Sequence, residues 1–339
     1  QSMPATAIDI GTYSIKAVVA KPGKRPSISR TALIKNSSEL AFPKDEMQAE
    51  KILQSVDQIF HDHKLPKTDV YLSLPEEIVS TKVIYLPPLS DAELASAIDW
   101  QAEQHIPIPL NQLSLEYKVL YRPQKKEKDQ PMRVLLVGTR KNIVELYTDI
   151  FVSLGIQPKI METQIFSIIR ALGFETSDPT TLLVHLGADN TQLAIIDQTE
   201  LKLATNKKGG GTILTKAIQQ AVGNVTPQQA EEYKHTYGMQ PEQLQGKIAQ
   251  ILIPALDPLV QEIVKTLRYY NNEQPQSPVN RILLTGGTAQ MPGIVSYFTQ
   301  QTNLEVLLAA PFAGTDGEIP EDNQQSYVVC NGLLMIEKI

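Results

Sequence analysis

One local pattern occurs twice in this chain and narrows what it can fold into: an apolar strand, a glycine turn carrying polar side chains, and a second apolar strand. The first copy runs through Ala5–Ile10, turns at Gly11-Thr12-Tyr13-Ser14 and is apolar again over 15–19. The second runs through Thr181–Leu186, turns at Gly187-Ala188-Asp189 and continues as Asn190–Asp197. A third glycine signal follows late: a buried strand over 282–285 ends in Gly286-Gly287-Thr288 ahead of a helical segment. Two related hairpins in the two halves of a chain, with a late strand–Gly-Gly–helix, predict two similar lobes facing one cleft.

The residues in these turns suit phosphate. Gly11 can take a positive φ and bare its backbone N–H, and successive amides and hydroxyls in such a turn wrap phosphate oxygens. Thr12, Tyr13, Ser14 and Lys16 complete the first loop, and Gly187, Asn190 and Thr191 the second. Asp9, at the end of its strand, would repel phosphate directly but can hold a magnesium ion, usually through water. Gly209-Gly210-Gly211 opens a helix, where free amides and the positive dipole end favour phosphate; the plain alternative is a flexible connector. Glu231 and Lys234, three apart on a helix, equally make an ordinary surface ion pair.

On these stretches, together with Ile106-Pro107-Ile108-Pro109-Leu110 and Ala230-Glu231-Glu232-Tyr233-Lys234, the chain resembles the actin-like ATPase superfamily and, more narrowly, the PilM family of type IV pilus assembly proteins. The resemblance runs almost end to end. It implies an α/β, two-lobed, duplicated ribonuclease-H-like fold with a small α+β module inserted in the first lobe. The expected division is 4–83 and 159–180 for the first lobe, 84–158 for the module, and 181–339 for the second lobe, with a subdomain at about 213–250. It also implies ATP or ADP with Mg2+ as cofactors, Asp9 as the metal residue, and Gly286, Gly287 and Thr288 as the adenosine loop, with Glu231 and Lys234 near the ribose and base. In this family the module helps form a groove for the cytoplasmic N-terminal peptide of PilN, an inner-membrane protein. Trp100, His105, Ile106, Ile108 and Leu110 are the candidate groove residues, unless they simply pack the module's own core.

Composition sets outer limits. The 339 residues suffice for two domain-sized cores. A net charge of −6 offers no electrostatic footprint for nucleic acid or anionic lipid. Apolar runs are too short to span a bilayer, and the single cysteine, Cys330, fits a reducing cytosol. The expected location is therefore cytoplasmic; the resemblance further implies that the protein is held at the inner membrane through a PilN-like protein and other pilus and motor components, with self-association allowed.

Along the chain, periodicity predicts a helix over 47–60, a strand over 69–74, and a strand–helix–strand–strand–helix run from 79 to 154 that makes up the module. Ser90 to Glu93 and Thr226 to Gln229 read as capping boxes. Lys125 to Asp129 reads as a solvated hairpin loop. Residues 160–172 read as one helix, 254–270 as a long core helix beginning at Pro254, and 327–339 as an apolar close lacking the basic face of a membrane-binding helix.

The chemistry has a weak point at His185. The resemblance calls for an acidic residue there, and a neutral imidazole neither adds negative charge nor resembles the oxygen shell magnesium prefers. Asp189 is two residues past Gly187, and Glu162 or Gln164 are the candidates to position a water. The expectation is nucleotide binding with slow or absent hydrolysis. The competing readings are a small-molecule kinase of the same superfamily and a filament-forming membrane tether like the FtsA proteins.

Overall fold

The computed structural model describes residues 3–124 and 129–335. The loop expected at Lys125 to Asp129 and the end of the apolar close therefore lie partly outside the described residues.

The first half begins with an antiparallel meander of β1 (Ala5–Ile10), β2 (Ser14–Lys21) and β3 (Ser27–Lys35). Helix α1 (Glu46–Asp62) crosses over to β4 (Val70–Leu74), which runs parallel to β1. A separate three-stranded sheet follows, built from β5 (Val79–Leu86), β6 (Leu113–Tyr121) and β7 (Met132–Arg140) in the order β5-β7-β6 and covered by α2 (Asp91–His105). Then α3 (Lys141–Ser153), β8 (Pro158–Thr163) and α4 (Gln164–Leu172) return the chain to the first sheet.

The second half repeats the plan. β9 (Thr181–Leu186), β10 (Asn190–Asp197) and β11 (Glu200–Lys208) form a meander. Helices α5 (Gly211–Val222), α6 (Pro227–Thr236) and α7 (Lys247–Glu273) lead to β12 (Arg281–Thr285), parallel to β9. Helix α8 (Ile294–Thr302) then leads to β13 (Glu305–Leu308). The chain closes with β14 (Asp316–Gly317) and α9 (Val328–Leu334). The two large sheets, β14-β3-β2-β1-β4-β8 and β11-β10-β9-β12-β13, share one core: three antiparallel strands, then two parallel ones.

Strand alternation assigns each sheet an outer and an inner face. In β1, Ile8 and Ile10 pack outward on α1, while the small Ala5 and Ala7 face α4 and α9. In β9, Leu182, Val184 and Leu186 join the helix-covered core of the second lobe, and Leu183 faces inward with Ala194 and Ile196 of β10. Helices α4 and α9 fill the space between the two inner faces. They approach so closely that a Cβ on Gly332 would lie 1.8 Å from the backbone oxygen of Ser167. Arg170 of α4 clamps this junction, pairing with Glu162 and donating to the Gly332 carbonyl at 2.8 Å.

Four expectations are corrected. Residues 158–163 are a strand because the free edge of β4 accepts them in parallel register, so the helix expected over 160–172 starts at Gln164. Helix α7 begins at Lys247 and runs through Pro254 and Pro258; burial of Ile248, Ala249 and Leu252 outweighs the helix-breaking cost of roughly 3 kcal/mol per interior proline. The buried face of α3 (Tyr147, Ile150, Phe151) packs with α1 in the first-lobe core, so the module's own core ends with β7. The segment from Asp316 onward leaves the second lobe: β14 pairs with β3, and Val328, Val329 and Leu333 of α9 are buried with the first-lobe strands. Both capping boxes form as read.

Gly332→Ala is expected to destabilise the protein by roughly 1–3 kcal/mol, because the methyl meets backbone rather than a yielding side chain. Urea denaturation measures this, and an unchanged midpoint would contradict the close α4–α9 contact.

Candidate functional site

The two hairpin turns close in the same way. Gly11 N–H donates to Ser14 O at 3.0 Å, and Gly187 N–H donates to Asn190 O at 3.0 Å. Space demands glycine strictly at Gly187, where the neighbour is backbone, and less so at Gly11, where a flexible lysine can yield. A Cβ on Gly11 would stand 2.8 Å from the Lys16 ammonium, and one on Gly187 2.8 Å from Asn190 O. Neither uses the positive φ anticipated for Gly11. Their own amides are occupied by turn closure, which leaves Thr12 and Tyr13, and Ala188 and Asp189, at the two tips.

Alternation then delivers the polar residues. Asp9 follows Ala5 and Ala7 on the inner face of β1, and its direct cross-strand partner is Lys16. Lys16 Nζ donates to Asp9 Oδ2 at 2.9 Å, while Ser73 Oγ and Gln164 Nε2 donate to Oδ1 at 2.6 and 2.8 Å. Burial alone would raise the Asp9 pKa, but the Lys16 charge and these hydrogen bonds outweigh it and hold the carboxyl below its usual range. On the facing sheet His185 lies beside Gln192 on β10 and Thr285 on β12 in direct register. Gln192 Nε2 donates to Gln164 Oε1 at 2.6 Å, so a chain of hydrogen bonds runs from Asp9 through Gln164 into the second lobe. Burial pushes His185 down to about 4, with the Lys16 charge acting in the same direction and the Asp9 charge against it; its Nδ1 is buried with no hydrogen-bond partner.

The glycine run behaves differently from expectation. Gly209, Gly211 and Thr212 donate their amides to the carbonyls of Asp189, Gly187 and Ala188 at 2.7, 2.9 and 2.9 Å. Their physical task is to let α5 dock directly on the second turn; of the three glycines, Gly209 and Gly211 therefore do not offer free donors to a phosphate. Thr191 Oγ1 donates to Gly209 O at 2.8 Å and Thr288 Oγ1 to Gly187 O at 3.1 Å, so the Gly286-Gly287-Thr288 loop closes on the same turn.

Lys234 is almost fully buried, its ammonium held by Glu231 at 2.7 Å, Thr215 Oγ1 at 3.0 Å and Gly211 O at 3.2 Å. The surface-pair alternative is thus excluded. Burial would raise Glu231, but hydrogen bonds from His235, Lys234 and Thr215 and the Lys234 charge bring it to about 2. Lys234 supports the α5 N-terminus and does not present a free charge to a ligand. Tyr13, exposed at the first turn, lies near enough to Glu231 that this charge adds to the effect of burial in raising its pKa.

Of the two water-positioning candidates, Glu162 is held by Arg170 and Ser167, while Gln164 reaches Asp9. Sequence reasoning missed Ser73, Gln192 and Glu76. Alternation alone could have placed Ser73 and Gln192 on inner faces. Glu76 accepts the Ile165 N–H at 2.9 Å at the start of α4, and burial raises it to about 7. Beside it a cavity of about 140 Å³ is lined by Gln192 and the edges of β5 and β11.

In the module, Trp100 is 58% exposed and His105 is exposed, while Ile108 and Leu110 are half-buried. Ile106 is 2% exposed and packs with Ile98 and Leu113, which removes it from the groove candidates: it belongs to the module's core. The sheet's other face meets the second lobe, where Arg133 pairs with Glu200 at 2.6 Å and Leu135 is buried with Leu201.

The duplicated sheets, the paired glycine turns and the inserted module define a two-lobed protein of the actin-like ATPase fold. MreB5 of Spiroplasma citri bound to AMPPNP superposes with TM-score 0.56 at 13% identity, covering 98% of this chain and 95% of that one. Ethanolamine utilization protein EutJ from Carboxydothermus hydrogenoformans does so at 0.61 and 14%, covering 99% and 90%. A solved PilM-PilN type IV pilus biogenesis complex matches with TM-score 0.82 at 21% identity, over 98% of both chains. Residues 7–336 match the family described as Type IV pilus assembly protein PilM, and the chain belongs to that family.

Glu76 generates a pH dependence. From the usual 4.5 up to about 7, the folded state keeps a proton that the unfolded state has released, so stability falls as pH rises through this window. Glu76→Gln keeps the acceptor for Ile165 N–H and is expected to flatten that slope, gaining on the order of 2–3 kcal/mol above pH 7. Chemical denaturation of both proteins at pH 4 and pH 8 (~4 pH units apart, spanning the window) tests it.

Proposed function

We propose that this type IV pilus assembly protein binds ATP or ADP between its lobes and the N-terminal cytoplasmic peptide of a PilN-like inner-membrane protein at its inserted module, with nucleotide turned over slowly or not at all. The closing of two glycine segments, 209–211 and 286–288, on the second hairpin turn through the Gly187 carbonyl carries the nucleotide reading. The AMPPNP-bound MreB5 and the PilM-PilN complex among the similar structures support the nucleotide and peptide parts respectively. Such a protein works at the inner face of the inner membrane through its partners; among the described residues no helix is long and apolar enough to cross a bilayer.

The magnesium expected at Asp9 has less support. Both Asp9 oxygens are engaged by donors, the facing strand offers a neutral imidazole, and among the described residues no three His, Cys, Asp or Glu side chains converge as a metal set. Slow hydrolysis fits the same arrangement: Gln164 is bridged between Asp9 and Gln192 rather than aimed at a water. Turnover below about one per second is expected in a phosphate-release assay, the lower end of ordinary enzyme rates.

Nucleotide and peptide can influence each other because the module touches the second lobe through Arg133, Glu200 and Leu135, so lobe rearrangement changes what the module rests on. Calorimetric titration with a synthetic PilN N-terminal peptide, with ATP and without nucleotide, tests the partner directly. Trp100→Ala is expected to weaken binding at least ~10-fold, as an exposed aromatic anchor does, with unchanged thermal stability. Undiminished affinity would move the groove off α2, and absence of peptide binding to the wild type would remove the adaptor reading.

A further inference from the structure

We infer that this site takes the phosphates of its nucleotide without a magnesium ion, the Lys16 ammonium standing where the metal would sit and His185 standing in place of a second acidic anchor. The inference rests on the nucleotide reading above and concerns how that site handles charge.

Asp9 and Lys16 are direct partners across the β1–β2 hairpin, so their side chains leave the same face side by side. The ammonium lies 2.9 Å from the carboxylate and 3.3 Å from Ser14 O, over the space that a Gly11 side chain would fill. With Ser73 and Gln164 on the other oxygen, the carboxylate has a donor on each oxygen and little left for a hydrated dication. Magnesium in phosphate sites normally relies on one or two free carboxylates plus the phosphates, and keeps several waters.

The facing strand completes the argument. His185 shares its inner face with Gln192 and Thr285, and none of the three is acidic. Its Nδ1 is buried with no hydrogen-bond partner, and the ring is close enough to Asp9 and Lys16 to feel both charges. A neutral imidazole in that place presents one N–H to a phosphate oxygen and adds no negative charge to repel it. Glu77 and Asp189 also stand at the cleft, close enough for Asp189 and Asp9 to influence Glu77, yet they do not gather with Asp9 into a metal set.

The experiment is calorimetric titration of the full chain with ADP and with ATP, each in magnesium buffer and in EDTA. Affinity in EDTA within about threefold of that in magnesium is the expected result, a difference under ~0.7 kcal/mol. Loss of more than about tenfold in EDTA overturns the inference while leaving nucleotide binding intact. Binding in neither buffer overturns the nucleotide reading itself, and this inference with it. His185→Asp is expected to create a magnesium requirement, its affinity in EDTA falling at least ~10-fold below that in magnesium, whereas His185→Asn keeps the two buffers equal. Thermal melts of both variants separate this from misfolding, and a folded His185→Asp protein indifferent to magnesium overturns the role assigned to His185.

Discussion

The hold on the Asp9 carboxylate ties the rest of the molecule together. A carboxylate that is 2% exposed would be intolerable without compensation. Its compensation comes from three separate places: Lys16 on the neighbouring strand, Ser73 on β4, and Gln164 at the head of α4. Gln164 in turn receives Gln192 from the other lobe. The buried charge therefore requires both sheets and the helix between them to be in register, and it couples the local geometry of the first turn to the position of the second lobe.

The same logic organises the second turn without a charge at its centre. There the carbonyls of 187–189 are exposed by a tight glycine reversal, and the amides at the start of α5 and the hydroxyl of Thr288 satisfy them. The buried Lys234–Glu231 pair then braces α5 from behind through Gly211 O and Thr215. A buried pair of this kind contributes little net stability against an apolar replacement, but removing one partner leaves an uncompensated charge. Its use here is positional: it holds the helix terminus against the turn, and the turn against the Gly286-Gly287 loop.

The inserted module adds a further contact between the lobes. One face of its sheet carries α2 and Ile106, a self-contained core, while the other rests on β11 through Leu135 and the Arg133–Glu200 pair. The module spans the division, so its footing depends on how the two lobes sit against each other.

Read alone, the chain determined the duplicated hairpins, the two capping boxes, the strands of the module and the strand-end position of Asp9, since alternation and glycine spacing are local properties carried by neighbouring residues. It also marked His185 as a departure from the acidic residue that the resemblance calls for. Tertiary structure decided what depends on partners distant in sequence. Residues 158–163 became a strand because β4 had an open edge, α7 continued through two prolines because its first turns are buried, and the last helix crossed back to the first lobe to fill the gap facing α4. The glycine amides of 209 and 211 were drawn to nearby carbonyls, and Ile106 was drawn inward from a proline-bounded segment that looked like a groove wall. Burial and hydrogen-bond partners supplied by remote segments tip the balance, and those are absent from any window of the sequence.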